Sequence, residues 1–277
     1  MPELEFDETI RAALREDMPQ GDITSESVIP AGAASEAVIL AKEDGVLAGL
    51  PVARRVFELV DPRVEFRAES ADGRAVQKGD VVARVEGPTV SLLKAERTAL
   101  NFLQRLSGIA TATRRFVDAV AGTKARILDT RKTTPGLRLL EKYAVRMGGG
   151  TNHRLGLSDM VLIKDNHLRY VGSIAEAVHR ARAAVAARVK VEVEVTSLDE
   201  LGQALAAGAD IVMLDNMSLE ETREAVAIAA GRVPLEVSGK VSLEHVREIA
   251  ETGVDLISVG ALTHSSPALD ISLEFLD

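Results

Sequence analysis

The chain has 277 residues, enough for one barrel-sized domain or two domains of ordinary size. It contains no cysteine, which excludes disulfides, thiolate catalysis and cysteine-ligated zinc, and no apolar stretch approaches the ~20 residues that a membrane-spanning helix needs. A net charge of −9 argues against nucleic acid as a partner, because a phosphate backbone requires a broad basic surface.

The opening run Met1–Ile10 is acidic and lacks the basic-then-apolar layout of a secretory signal, so a cytoplasmic location is expected. Asp7–Glu16 reads as a short acidic helix. Ala37–Ala41, Val64–Ala68 and Val81–Val85 read as strands, separated by turns at Asp44-Gly45, Asp72-Gly73 and Lys78-Gly79-Asp80. Together they predict a small β-rich domain. Asp72–Val81 has the look of a lipoyl-type hairpin, but a modifiable lysine would sit at the tip beside Met or Ala, and Lys78 sits in a Lys-Gly-Asp turn. The segment is therefore read as scaffold rather than carrier. Ser91–Ala121 reads as helical, with Leu92, Ala95, Ala99, Phe102, Leu103 and Leu106 at helical spacing and an interruption near Ser107-Gly108.

From Lys124 onward short apolar strands alternate with amphipathic helices. The strands are Arg126–Asp129, Met160–Ile163, Val189–Val195, Ile211–Leu214, Leu235–Val237 and Leu256–Val259. Three helices open with a capping box, at Ser173/Glu176, Ser197/Glu200 and Ser218/Glu221, and a fourth opens at Ser242. Such alternation implies parallel strands with crossover helices. Six strands suit an incomplete β/α barrel; a doubly wound open sheet is the alternative, and the lack of a GxGxxG after any strand weighs against a dinucleotide fold. The acidic average also hides a contrast. Between Lys124 and Arg169 there are ten Lys/Arg against four Asp/Glu, a balance of +6, so the rest of the chain carries −15. A compact cationic patch in an acidic protein suggests a small anion held in a pocket.

In a β/α barrel the active site lies at the C-terminal ends of the strands. After the first strand, Thr130, Arg131 and Lys132 stand before Thr134-Pro135, read as a helix cap and first turn, so the two cations are expected beside a helix N-terminus. Gly148-Gly149-Gly150 precedes Asn152-His153-Arg154; three glycines allow backbone to approach a ligand, and Arg154 can grip a carboxylate through two parallel hydrogen bonds. Lys164 follows the second strand. On the third, Lys190, Glu192, Glu194 and Thr196 share one face, which predicts a Lys190–Glu192 pair low down and Glu194 nearer the mouth. Asp215 ends the fourth strand; with Glu194 it gives two carboxylates for Mg²⁺ on a diphosphate. Ser238-Gly239-Lys240 and Ser258-Val259-Gly260 close the last two strands, the usual place in a barrel for a monophosphate. A Schiff-base aldolase with Lys164 as the amine is a competing reading, but it leaves Arg97, Arg131 and Arg154 without a purpose.

The runs Glu96–Asn101, Asp129–Gly136, Gly148–Gly150 with Asn152-His153-Arg154, Lys164–His167, Leu214–Asn216 and Ser258–Gly260 closely resemble nicotinate-nucleotide pyrophosphorylases, the carboxylating quinolinate phosphoribosyltransferases. The likeness covers nearly the whole chain in the expected order. It implies an N-terminal α/β sandwich, residues 1–107, and a β/α barrel of six or seven strands, residues 108–267, with the tail 268–277 packing back on the first domain. It implies a cytoplasmic homodimer, open to higher assembly, in which quinolinate and phosphoribosyl pyrophosphate give nicotinate mononucleotide, pyrophosphate and carbon dioxide with Mg²⁺. By similarity Arg131, His153, Arg154 and Lys164 bind quinolinate or neighbouring anionic groups, and Arg97 reaches the other subunit's site. Lys132, Glu194 and Asp215 handle the ribosyl diphosphate and its metal. The two late loops hold the 5-phosphate; Lys240 falls at a position where the family varies. A related transferase acting on another heterocycle is the nearest alternative.

Overall fold

The computed structural model describes residues 6–276; Met1–Glu5 of the acidic opening run and Asp277 of the tail lie outside them. The chain separates into two compact units. One comprises residues up to Arg114 together with Thr133–Gly149 and the residues from Leu262 on, and the other Arg115–Lys132 with Gly150–Ala261.

The first unit opens with α1 (Asp7–Asp17) and α2 (Ile23–Val28), the latter capped by Asp22, which accepts the backbone N–H groups of Thr24 and Ser25. β1 (Ala34–Ala41), β2 (Gly45–Val46), α3 (Leu50–Val60), β3 (Glu65–Ala68), β4 (Ala75–Val76) and β5 (Val81–Pro88) follow. Asp7 lies in the first turn of α1, where a carboxylate favours the helix dipole, and also binds Arg55 of α3 at 2.7 Å. The long helix α4 (Thr89–Ala119) comes next, and α5 (Arg138–Met147) belongs to this unit as well.

Helix α4 runs unbroken for 31 residues, so the interruption expected at Ser107-Gly108 does not occur. Both residues are buried there. Ser107 Oγ takes the backbone N–H of Ala48 and donates to its carbonyl, and a side chain on Gly108 would stand 2.0 Å from the carbonyl oxygen of Pro267. The two small residues mark a close approach, not a break. Helix α5 also departs from expectation. It starts at Arg138 rather than Pro135, because Thr134–Leu137 form a turn with Gly136 at φ +80° and a Leu137 N–H to Thr134 O bond of 3.0 Å. The triglycine run ends this helix: a Cβ on Gly148 would lie 2.5 Å from Ala110 O and from Thr113 Cβ, so its glycine serves helix-to-helix contact rather than a ligand.

In the second unit β6 (Arg126–Leu128), β7 (Val161–Ile163), β8 (Val191–Val195), β9 (Ile211–Asp215), β10 (Leu235–Ser238) and β11 (Leu256–Ser258) form one parallel sheet in the order β6-β11-β10-β9-β8-β7. Consecutive strands are neighbours from β7 to β11, and β11 returns to β6. This is an incomplete β/α barrel whose gap lies between β6 and β7. Thr151 enters the gap as a one-residue parallel bridge to Leu128. The crossover helices are α6 (Asp165–Val171), α7 (Ile174–Ala184), α8 (Leu198–Ala206), α9 (Leu219–Ala229) and α10 (Val246–Glu251), with α11 (Ala261–His264) after β11. Ser173, Ser197 and Ser218 cap α7, α8 and α9 by accepting the N–H three residues on, and at Ser218 the Glu221 carboxylate returns the bond. At Ser242 no helix opens; residues 243–245 turn first and α10 begins at Val246.

The last strand, β12 (Ile271–Phe275), pairs antiparallel with β1, giving the first unit a sheet of order β12-β1-β5-β3. Among the described residues no helix is long and apolar enough to cross a membrane.

Candidate active site

A cavity of about 330 Å³ opens at the C-terminal ends of the barrel strands. Eight of the residues singled out from the sequence line it. Thr130, Arg131 and Lys132 come from the loop after β6, and His153 and Arg154 from the segment after the Thr151 bridge. Lys164 follows β7, while Ser238 and Ser258 end β10 and β11. Parallel strands covered on both faces are expected to be nearly all apolar, as β9 is with Ile211, Val212, Met213 and Leu214 buried. Polar chemistry is therefore confined to strand ends and to a few inward-facing positions.

Buried Asp129 secures the wall next to β6. Its carboxylate accepts the backbone N–H of His153 at 2.9 Å and the side-chain amide of Asn152. Arg154 Nη1 donates to Met160 O at 3.1 Å. Burial, and then the charge of Arg131, push the Arg154 pKa down, so two guanidinium groups sit within repelling distance in a partly dry site. Such a pair gains most from an anion with two acceptor oxygens. Lys132 N–H bonds Thr130 Oγ1 at 3.0 Å, which shapes the loop that carries its side chain.

Lys164 at the end of β7 forms an ion pair with Glu194 of β8. Asp215 closes β9 with its carboxylate accepting from Asn216 Nδ2 at 2.9 Å. Asn216 has φ +53°, and a Cβ on Gly239 would meet its side-chain oxygen at 2.3 Å, so the loops after β9 and β10 interlock with no room for a larger residue. Gly239 and Lys240 continue that loop with positive φ, and Val259, buried, and Gly260 continue the one after β11. Arg97 lies on α4 in the first unit with an exposed side chain.

Three groups at the cavity floor were placed differently, or missed, by sequence reasoning. Glu192 does not pair with Lys190, which is exposed. It is fully buried, with its Oε2 3.1 Å from His153 Nε2. Glu236 of β10, read only as part of an apolar strand, is buried at the same spot, 3.4 Å from the same nitrogen. Its signal in the sequence was weak: a single Glu between Leu235 and Val237 gives no periodic cue. Burial opposes charge on His153, but the two carboxylates outweigh it and raise the ring pKa; burial and Glu236 raise that of Glu192. The carboxylates favour a second ring proton, but the Arg154 backbone N–H donates to His153 Nδ1 at 2.8 Å; that bond requires a lone pair on Nδ1 and leaves the ring a single proton, on Nε2.

Glu194 and Asp215, at the ends of adjacent strands, supply hard oxygen donors of the kind Mg²⁺ takes when it completes its shell with substrate phosphate and water. In chemical terms the cavity is lined by cations suited to carboxylates and phosphates, while Glu194 and Asp215 stand at the neighbouring strand ends outside its lining.

Models of two domain families match the chain: the N-terminal domain of quinolinate phosphoribosyl transferase over residues 22–107 and its C-terminal domain over residues 109–274. The nicotinate-nucleotide pyrophosphorylase [carboxylating] of Mycobacterium leprae (strain TN) is 48% identical over 99% of this chain and 99% of its own. The probable nicotinate-nucleotide pyrophosphorylase [carboxylating] of Bacillus subtilis (strain 168) is 44% identical, over 99% and 94%. The crystal structure of NadC from Streptococcus pyogenes superposes with a TM-score of 0.96 at 45% identity, covering 100% of this chain and 99% of the other.

Proposed function

The chain belongs to the quinolinate phosphoribosyltransferase family and is a pentosyltransferase, and on that footing we infer how its residues divide the work of moving phosphoribosyl from phosphoribosyl pyrophosphate to quinolinate. The reaction yields nicotinate mononucleotide, pyrophosphate and carbon dioxide, a step of NAD biosynthesis. The observation that carries the division of labour is the convergence of Arg131, Lys132, Arg154 and Lys164 on one cavity at the barrel mouth.

Quinolinate brings two carboxylates beside a ring nitrogen. Arg131 and Arg154 grip them and aim the nitrogen at the ribose anomeric carbon, so positioning supplies much of the acceleration. Lys132 and Lys164 face the diphosphate and stabilise the charge that gathers on it as the glycosidic bond lengthens. Glu194 and Asp215 would hold Mg²⁺, which when bound neutralises the diphosphate. Ser238 with Gly239 and Lys240, and Ser258 with Val259 and Gly260, form two neighbouring loops suited to the 5-phosphate. Attack by the ring nitrogen makes a pyridinium, and that cation stabilises the electron pair left at the adjacent carbon when carbon dioxide departs. No protein nucleophile is required.

The enzyme acts in the cytoplasm as a homodimer, with Arg97 of each chain completing the quinolinate pocket of its partner. Support for sharing is the exposed guanidinium on α4, outside the unit that forms the cavity. Assays of the purified chain with quinolinate, nicotinate and nicotinamide in parallel test the substrate assignment. Turnover of quinolinate alone is expected; equal turnover of nicotinate would reject it.

A further inference from the structure

Glu192 and Glu236 have no part in the division of labour above, yet both are fully buried in a sheet whose other buried residues, Ser258 aside, are Val, Ile, Leu and Met. They flank β9 from β8 and β10 and converge on one atom, His153 Nε2, at 3.1 and 3.4 Å. Two buried carboxylates beside an anion-binding cavity cost stability and oppose the ligand, so apolar residues would serve packing better. One use for such a group is a divalent ion, since a histidine nitrogen and two carboxylate oxygens within 4.8 Å of one another can ligate one. The other ring nitrogen speaks against it. Nδ1 accepts the Arg154 backbone N–H at 2.8 Å, so it carries a lone pair, and the proton sits on Nε2, where a metal would have to bind.

We propose that Glu192 and Glu236 are positioning residues that act on the substrate through His153, holding its Nε2–H inward so that Nδ1 fixes the backbone of Arg154. With Nδ1 bonded to the backbone and Nε2 turned toward the two buried carboxylates, His153 offers the cavity its ring surface, and Arg154 carries the charge that meets a substrate carboxylate. The chain of contacts is continuous: carboxylates to Nε2, Nδ1 to the Arg154 N–H, and Asp129 to the His153 N–H at 2.9 Å on the other side. The kinetic consequence rests on the quinolinate reading above; the ring's hydrogen bonding does not.

Glu192 and Glu236 should be changed singly to Gln, which keeps an acceptor oxygen, and to Leu, which removes it at similar volume. In ¹⁵N spectra of histidine-labelled protein, with His153 assigned by its loss in His153→Asn, the wild-type ring should show an unprotonated, hydrogen-bonded Nδ1. The Gln variants should keep that signature and the Leu variants lose it. Partner carboxylates that orient a histidine are worth on the order of tenfold to a hundredfold elsewhere, so the Leu variants should raise the KM for quinolinate by about tenfold or more. The KM for phosphoribosyl pyrophosphate should hold, and the Gln variants should stay within about threefold of wild type. A protonated Nδ1 in the wild type overturns the proposal, as does a folded Leu variant of both sites with unchanged ring signals. Gln variants as impaired as Leu variants would also overturn it, because they would point to the carboxylate charge itself. Absence of quinolinate turnover by the wild type would instead refute the functional reading and leave the spectra to decide the positioning role.

Discussion

Lys164 at the end of β7 is held by Glu194 near the end of β8, so the cation proposed to face diphosphate and the carboxylate proposed to hold metal neutralise each other across adjacent strands. The pair keeps both groups at the mouth before substrate arrives. On the proposed reading, diphosphate would take Lys164 and Mg²⁺ would take Glu194 in place of this pairing. Lys164→Ala should lower kcat by about 10²–10³, the range seen when a group that stabilises developing negative charge is removed. Glu194→Gln should raise the Mg²⁺ concentration needed for half-maximal rate. Steady-state kinetics with varied Mg²⁺ check both; an unchanged metal requirement in Glu194→Gln would remove that residue from the metal site.

Arg154 is predicted to serve quinolinate and not the ribosyl donor. Hydrogen bonds to charged groups are worth about 1.5–3 kcal/mol, so Arg154→Ala should weaken quinolinate binding on the order of tenfold to a hundredfold. Calorimetric titration with each substrate separates the two. Loss of phosphoribosyl pyrophosphate binding to the same extent would place Arg154 on the other substrate.

Sharing of Arg97 between subunits predicts complementation. Arg97→Ala and Lys164→Ala should each be nearly inactive, yet a mixture refolded together should recover about one quarter of wild-type activity, because half of randomly paired dimers carry one intact site. A mixture as inactive as its components would show that Arg97 serves its own chain or no site.

Much of this was legible in the residues. Strand-end charged groups stood out because Lys164 and Asp215 each follow an uninterrupted apolar run, and the Ser-capped helices were visible because the cap and its partner lie three residues apart. Local signals failed where a distant contact decided the outcome. Gly108 looks like a helix breaker until Pro267, far away in sequence, is seen against it. Gly148 looks like a ligand loop until Thr113 of α4 is seen to occupy its side-chain space. Glu236 gave no cue at all, since its partner, His153, lies on a segment of chain far from β10. Period-two alternation correctly turned Glu192 inward, but Lys190 beyond the strand's start is exposed, and the group that meets Glu192 is the His153 imidazole.

Gly108 offers a test of packing in the first unit. A Cβ there would stand 2.0 Å from backbone that cannot swing away like a side chain. Gly108→Ala should cost about 1–3 kcal/mol through overpacking, in spite of alanine's better helix propensity. Thermal melting checks it; a stabilised variant would contradict the close approach.

Asp61 gives a pH signature. Its carboxylate accepts from Arg63 at 2.8 Å and from Ser91 Oγ at 2.6 Å, which hold its pKa well below the usual carboxylate range. A depressed pKa contributes stability above the unfolded value of about 3.9 and loses it as pH falls through the folded value. Ser91→Ala should therefore destabilise by about 1–2 kcal/mol at neutral pH, with the gap closing in acid. Melts across pH 2–7 measure it, and a gap independent of pH would rule out Asp61 as the cause.

The most direct test of the overall reading is the stoichiometry of release by the wild-type chain with quinolinate, phosphoribosyl pyrophosphate and Mg²⁺. Pyrophosphate and carbon dioxide should appear in equal amounts with nicotinate mononucleotide as the product. Pyrophosphate without carbon dioxide, or carbon dioxide released in the absence of the ribosyl donor, would contradict a site in which ring ribosylation makes the leaving of the carboxylate possible.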